Sequence, residues 1–271
     1  MMLSHCQHLL LLLIVPISLV PKASCAEQFD IRRDPQLYVL DQLRSNDIVF
    51  LGTTHRRQPI LKFLSDLIPA LHEAEVTHLG LEVCSNQQHK IDGFLQTGRG
   101  LEGIGLHFQI ECPEYRNIFN TIRRVDRTKR PAVVALDLPK SMYQGDTNRD
   151  KWMATSIAKV FHRNPNAKML VVVGNFHVLK KIEWQDTVAN PHGFVRSYLN
   201  ELAPHRRMFS IGQCIDETPN VCDFTREFRS VQGPVPVDCD RRFAGWNIGM
   251  MATVAAKPIE IWELLDGLIV Y

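Results

Sequence analysis

Residues 47–55 read DIVFLGTTH, and residues 168–177 read KMLVVVGNFH. Each is an apolar run of strand length that stops at a glycine and hands a histidine to the following loop. An unbroken apolar run, rather than an alternating one, marks a strand covered on both faces, which is the condition of a parallel sheet between helical layers. Two such runs in one chain point to an α/β fold, and the intervening sequence agrees.

Outward from these runs, strand and helix patterns alternate. RQPILKFLSDLIPALHEA carries Ile60, Leu64, Leu67, Ile68 and Leu71 at helical spacing, and THLGLEV follows as a second strand. AVVALDLP is a third strand, closed by Pro139. DTNRDKWMATSIAKVFHRNP is a helix with Asp146 or Thr147 as its N-cap and Pro165 just past its end. VRSYLNELAP is a further helix, RMFSIGQCI a fifth strand, and EIWELLDGLIVY ends on one more buried strand. Residues 216–257 show no clear periodicity. The expectation is a mainly parallel central sheet with helices on both faces. The stretch from Ser85 to Arg130, with glycines at 98, 100, 103 and 105 separating two helical patterns, is expected to be a helical insertion after the second strand.

The bulk numbers narrow the function classes. A chain of 271 residues buries a large core without needing disulfides or metals. Its net charge of +2 supplies no strong attraction to nucleic acid or to an anionic membrane. HLLLLLIVPISLV, from His8, is too short to span a bilayer comfortably, and Ser24-Cys25-Ala26 supplies the small residues a signal peptidase reads. Residues 1–26 are therefore read as a cleaved export signal, and residues 27–271 as a single domain. No stable membrane insertion is expected. Lys22 stands where a lipobox wants an aliphatic residue, which argues against a lipid anchor at Cys25. Five cysteines remain: Cys84, Cys112, Cys214, Cys222 and Cys239. Export favours one bridge among the last three, and their odd number leaves a free thiol.

In open parallel sheets the ligand crevice lies beyond the carboxyl ends of the strands. Four strands end there in polar groups: His55 after the first, Glu82 in the second, Asp137 in the third and His177 after the fourth. A histidine after a strand is, alone, an ordinary solvated loop residue. Asp137 alone serves as well to cap the turn before Pro139. Glu82 inside an apolar run is different, because a buried carboxylate needs a partner. Together, His55, Glu82 and His177 suffice as ligands for Zn²⁺, Mn²⁺ or Co²⁺ with an open position. They suffice equally for metal-free acid–base activation of water. Gly52 and Gly174 begin two matching G-x-x-H turns and are read as letting backbone approach a ligand closely. Arg149, at the start of the helix that feeds the fourth strand, is a candidate to hold an oxyanion or carboxylate; the bland reading pairs it with Asp150 on the surface. His72 and His78 lack the H-E-x-x-H spacing and are read as structural.

The paired GTTH and GNFH turns, LGLEV with its glutamate, the NRDKWMA helix start and the closing DGLIVY resemble the erythromycin esterase, ChaN-like and Tiki/TraB superfamily, most closely its ChaN-like group. The likeness runs from about Asp47 to Tyr271. It implies an α/β fold with a site lined by His55, Glu82 and His177. Within the superfamily it implies macrolide-lactone hydrolysis, metal-dependent proteolysis or haem binding. The esterases carry an acidic residue where this chain has Thr53, which favours the metal or ligand-binding branches. The expectation is an exported hydrolase acting on an ester, lactone or peptide bond of a small molecule or peptide. In it, His55, Glu82, His177, Arg149 and Asp137 form the site. The alternative is a non-catalytic protein that binds haem or another small ligand.

Overall fold

A computed structural model describes residues 33–180, 194–214, 233–241 and 261–271. Helix α1 (Pro35–Ser45) opens on Asp34, whose carboxylate accepts from the backbone N–H groups of Gln36 and Leu37. Strand β1 is Ile48–Thr53. Helix α2 (Gln58–Leu67) then tightens into a 3₁₀ turn over Ile68–Ala74, since Pro69 cannot donate into a continuing α-ladder. The predicted long helix is thus split in two. Strand β2 (His78–Cys84) follows.

The expected insertion consists of helices α3 (Gln88–Thr97) and α4 (Pro113–Arg124), joined by a loop containing a short 3₁₀ turn. Next come β3 (Ala132–Asp137), α5 (Arg149–Arg163), β4 (Met169–Gly174), α6 (Val195–Leu202) and β5 (Met208–Cys214). The N-cap of α5 is Asn148, one or two residues later than expected. Its side-chain oxygen accepts the Lys151 N–H at 2.9 Å, which leaves Arg149 and Asp150 in the first turn. Strands β6 (Val235–Asp238) and β7 (Gly267–Val270), with α7 (Ile261–Leu264) before the latter, complete the described chain.

The sheet order is β3-β2-β4-β1-β5-β7-β6. All neighbours pair parallel except β6 with β7, an antiparallel edge whose β6 comes from the aperiodic region. Every residue of β1 and β4 is buried, as their unbroken apolar runs predict. Their pleat splits them between two core layers. Val49, Leu51, Leu170 and Val172 pack with α1, α2 and α4, while Ile48, Phe50, Met169, Val171 and Val173 pack with α5 and α6.

Strand β4 lies between β1 and β2, although both precede it in sequence. The carboxyl ends of these three strands are therefore adjacent, and Thr53 pairs with Gly174 at the last rung of β1 and β4. Along β2, pairing with β4 stops at Leu81, and three steps from Leu81 to Cys84 are matched by two on β3. This one-residue bulge falls at Glu82 and Val83, where it re-aims the glutamate.

Among the described residues no helix is long and apolar enough to cross a membrane. Residues 1–26 and Cys222 lie outside the described residues, as does the side chain of Cys214. The expected bridge does not include Cys239, whose thiol is free and buried under the β6–β7 edge; Cys84 and Cys112 are free as well.

Candidate functional site

Arg149 is the hub of the strand-end cluster. Its Nε donates to Asp137 Oδ1 at 2.6 Å, and its Nη2 donates to Asp137 Oδ2 at 2.8 Å and to Glu82 Oε1 at 2.6 Å. Nη1 lies 3.2 Å from His177 Nε2. Asp137, fully buried, also accepts from the Leu138 N–H and the Tyr143 hydroxyl, each at 2.7 Å. Although burial alone would raise its proton affinity, the Arg149 guanidinium holds the Asp137 carboxyl below the usual range. Burial opposes the charge of Arg149 too, but Asp137 and Glu82 outweigh it and push the guanidinium further up. The bland alternative, a surface pairing of Arg149 with Asp150, does not hold, because its partners are Asp137 and Glu82.

Glu82 Oε2 accepts the Gly174 N–H at 2.6 Å. Pairing between β2 and β4 has ended by this point, so the carboxylate replaces a ladder partner that the bulge removed. Both Glu82 oxygens are thereby engaged.

The two histidines are tuned in opposite directions. His177 Nδ1 is 2.7 Å from Asp150 Oδ1. Burial works against its charge, but the Asp150 hydrogen bond prevails and raises its pKa. When Nδ1 carries the proton to Asp150, Nε2 accepts from Arg149; when protonated, Nε2 faces Glu82 Oε1 at 3.7 Å. His55 has no such partner. Its Nδ1 is buried without a hydrogen bond, and burial lowers its pKa, assisted by the nearby charges of His177 and Arg149 and opposed by Glu82. The next residue, Arg56, has φ +60°, a left-handed conformation unusual for a non-glycine residue and characteristic of strained site loops.

The glycines serve the protein rather than a ligand. A Cβ on Gly174 would lie 3.3 Å from Cε1 and Nε2 of His55 and 3.5 Å from Glu82 Oε2, so both side chains close over it. A Cβ on Gly52 would fall 2.2 Å from Asn175 Oδ1. That oxygen accepts the Gln213 N–H at 3.0 Å while Asn175 Nδ2 donates to Gln213 O at 2.7 Å, and Gln213 Nε2 donates to Gly52 O at 2.7 Å. Thr53 turns its hydroxyl to Val173 O at 3.4 Å, tying β1 to β4.

His55, Glu82, Asp137, Arg149 and His177 are thus all brought to one rim. They do not form a metal shell. Among the described residues no group of three or more His, Cys, Asp or Glu side chains is arranged to hold a metal ion. Both Glu82 oxygens are committed, and a dication bound there would sit against the Arg149 guanidinium, so the group fits poorly. Haem fits only in part: His55 Nδ1 is buried and unpaired, and the exposed rings of Phe108 and Tyr143 stand beside the cluster.

Three members had no distinct signal in the sequence. Tyr143 reaches Asp137 from the loop after β3. Asp150 is visible only as a neighbour of Arg149. His107, from the insertion loop, lies with its ring 5.9 Å from that of Tyr143. Its pKa is lowered by burial first and then by Arg149 and Lys140.

No protein-family model matches the chain, and no curated protein matches it in sequence. Solved structures share its fold. A mutant of the erythromycin esterase EreC in its open conformation superposes with a TM-score of 0.62 at 12% identity, over 86% of this chain and 92% of that one. A succinoglycan biosynthesis protein does so at 0.58 and 14%, over 86% and 90%. ChaN of Campylobacter jejuni, solved with cofacially bound haem, gives 0.55 at 10%, over 87% and 91%.

Proposed function

We propose that this chain, which shares its fold with an erythromycin esterase and a haem-binding ChaN, is a hydrolase that activates water for attack on an ester or lactone carbonyl. The observation that carries the reading is two differently partnered imidazoles beside one half-buried guanidinium: His177 is tied to Asp150 and meets Arg149, while His55 Nδ1 is buried without a hydrogen bond. His55, kept neutral by its burial, takes the proton from the attacking water. Arg149, held on one side by Asp137 and Glu82, keeps one Nη1 N–H for the oxygen on which negative charge develops. In its charged form, favoured by Asp150, His177 carries a proton on Nε2 in place of the hydrogen bond from Arg149, and returns that proton to the leaving alkoxide. Asp137 and Glu82 position Arg149 and do not touch the reacting atoms. Residues 1–26 are proposed to direct the protein to export.

The experiment is hydrolysis of a simple alkyl ester, ethyl butyrate, followed by acid release. His55→Gln is expected to lower kcat/KM by about 10²- to 10⁴-fold, the usual contribution of a general base. Arg149→Lys, which keeps the charge but loses the fork to Asp137, is expected to lower kcat more than it raises KM. Wild-type rates in both variants would remove the proposal.

A second reading is supported by the exposed aromatic rings at the rim: the site holds a flat apolar ligand such as haem without chemistry. Titration with haem distinguishes it, because a Soret shift lost in His55→Ala would assign His55 as the axial ligand.

A further inference from the structure

The loop between α3 and α4 is pinned to the body of the protein at several points. Gly105 N–H donates to Gln87 Oε1 at 3.0 Å, and Lys140 Nζ donates to Leu106 O at 3.2 Å. Leu106 and Ile110 are buried in the core. Midway between them, Phe108 is 69% exposed. Its ring is not stray: it packs 4.5 Å from His107, which lies 5.9 Å from Tyr143, and the Arg149 guanidinium stands 5.8 Å over the Tyr143 ring. Tyr143 is itself 36% exposed, while its hydroxyl donates to Asp137. A row of neighbouring rings, tilted by 42° and 46° to one another, therefore leads from solvent to the guanidinium at the centre of the cluster. A well-anchored loop that holds an aromatic ring in water beside other rings is the arrangement expected of a ligand wall, since such rings gain most by stacking a further planar group.

We infer that Phe108, His107 and Tyr143 form a recognition strip for a planar aromatic group, attached to a carbonyl whose oxygen meets the free N–H of Arg149. The strip carries no charge of its own, and Arg149 is already balanced by Glu82 and Asp137, so the fitting ligand is a neutral aromatic ester rather than an aromatic acid. This deepens the proposed hydrolase reading by naming its substrate class, and it rests on that reading for the reaction but not for binding.

The test uses two neutral, non-ester probes with the same carbon skeleton and amide, one flat and aromatic and one saturated, 2-naphthamide and its fully saturated decahydro counterpart, titrated into the full chain by NMR. The aromatic probe is expected to bind about 3- to 10-fold more tightly, the worth of one good aromatic contact. Phe108→Ala and His107→Ala are each expected to erase most of that preference, and Phe108→Tyr to keep it. Equal affinities for the two probes, or an undiminished preference in Phe108→Ala, would overturn the strip. Preference without ester hydrolysis in the wild type would sink the hydrolase reading and leave the strip standing. Hydrolysis without preference would do the reverse.

Discussion

Arg149 binds two carboxylates and meets one imidazole, and that arrangement decides what the two histidines can do. His55 is pushed below its usual 6.5 by burial, and His177 is carried above it by Asp150 despite burial. If His55 is the base and His177 the acid, kcat/KM follows a bell, with its acid limb below pH 6.5 and its basic limb above it. A pH–rate profile checks this, and an acid limb at or above 6.5 would remove His55 from the role of base. The stability signs oppose each other. Below pH 6.5 the unfolded chain protonates His55 before the folded one does, so His55 costs stability there. His177 contributes stability that is present below its unfolded pKa and lost as pH rises through its higher folded value. At this scale the candidate residues were legible, because polar groups at the tips of apolar runs stand out. Their partners were not. Tyr143 and His107 lie in loops, where a ring has no periodic signature, and only the folded chain brings them beside Asp137 and Arg149.

Between residues and fold, the elements do the aiming. The β2 bulge turns Glu82 off the ladder and onto the Gly174 amide, while the first turn of α5 delivers Arg149 and Asp150 to different partners. The two G-x-x-H turns look alike in sequence but differ in the structure: Gly174 makes room for His55, Gly52 for Asn175. Gly52→Ala would drive a methyl to 2.2 Å from Asn175 Oδ1 and break the Asn175–Gln213 clasp. It is expected to destabilise the fold by about 1–3 kcal/mol, the cost of overpacking, as read by denaturant unfolding. Gly174→Ala meets a ring only 3.3 Å away, which must shift by a few tenths of an ångström. It is expected to spare stability and lower hydrolysis on the order of 10-fold by displacing His55. The bulge left no trace in the sequence, because Glu82 and Val83 fit a straight strand equally well by composition.

For the whole molecule, the far edge of the sheet is locked by a second charged cluster. Asp266 accepts from Lys180 Nζ and Ser210 N, each at 2.8 Å, and from Arg196. Burial opposes its ionisation, but Arg196 and Lys180 keep the carboxyl below its usual range. Asp266→Ala leaves two cations without their carboxylate and is expected to cost about 3–5 kcal/mol, read as a fall in Tm. Backbone amides of Gly267–Val270 should then exchange well before those of Met169–Gly174. The sequence by itself determined the class of fold, because unbroken apolar runs can only be buried on both faces. It likewise determined that His55, Glu82, Asp137 and His177 sit at strand ends, since each follows or closes such a run. Only the tertiary structure decided that β4 enters between β2 and β1, which makes four distant polar groups neighbours. It also decided that Arg149 is the cation that meets the buried carboxylates of Glu82 and Asp137. Strand order and ion pairing depend on which surfaces meet across long stretches of chain, and local hydrophobic pattern carries no term for that.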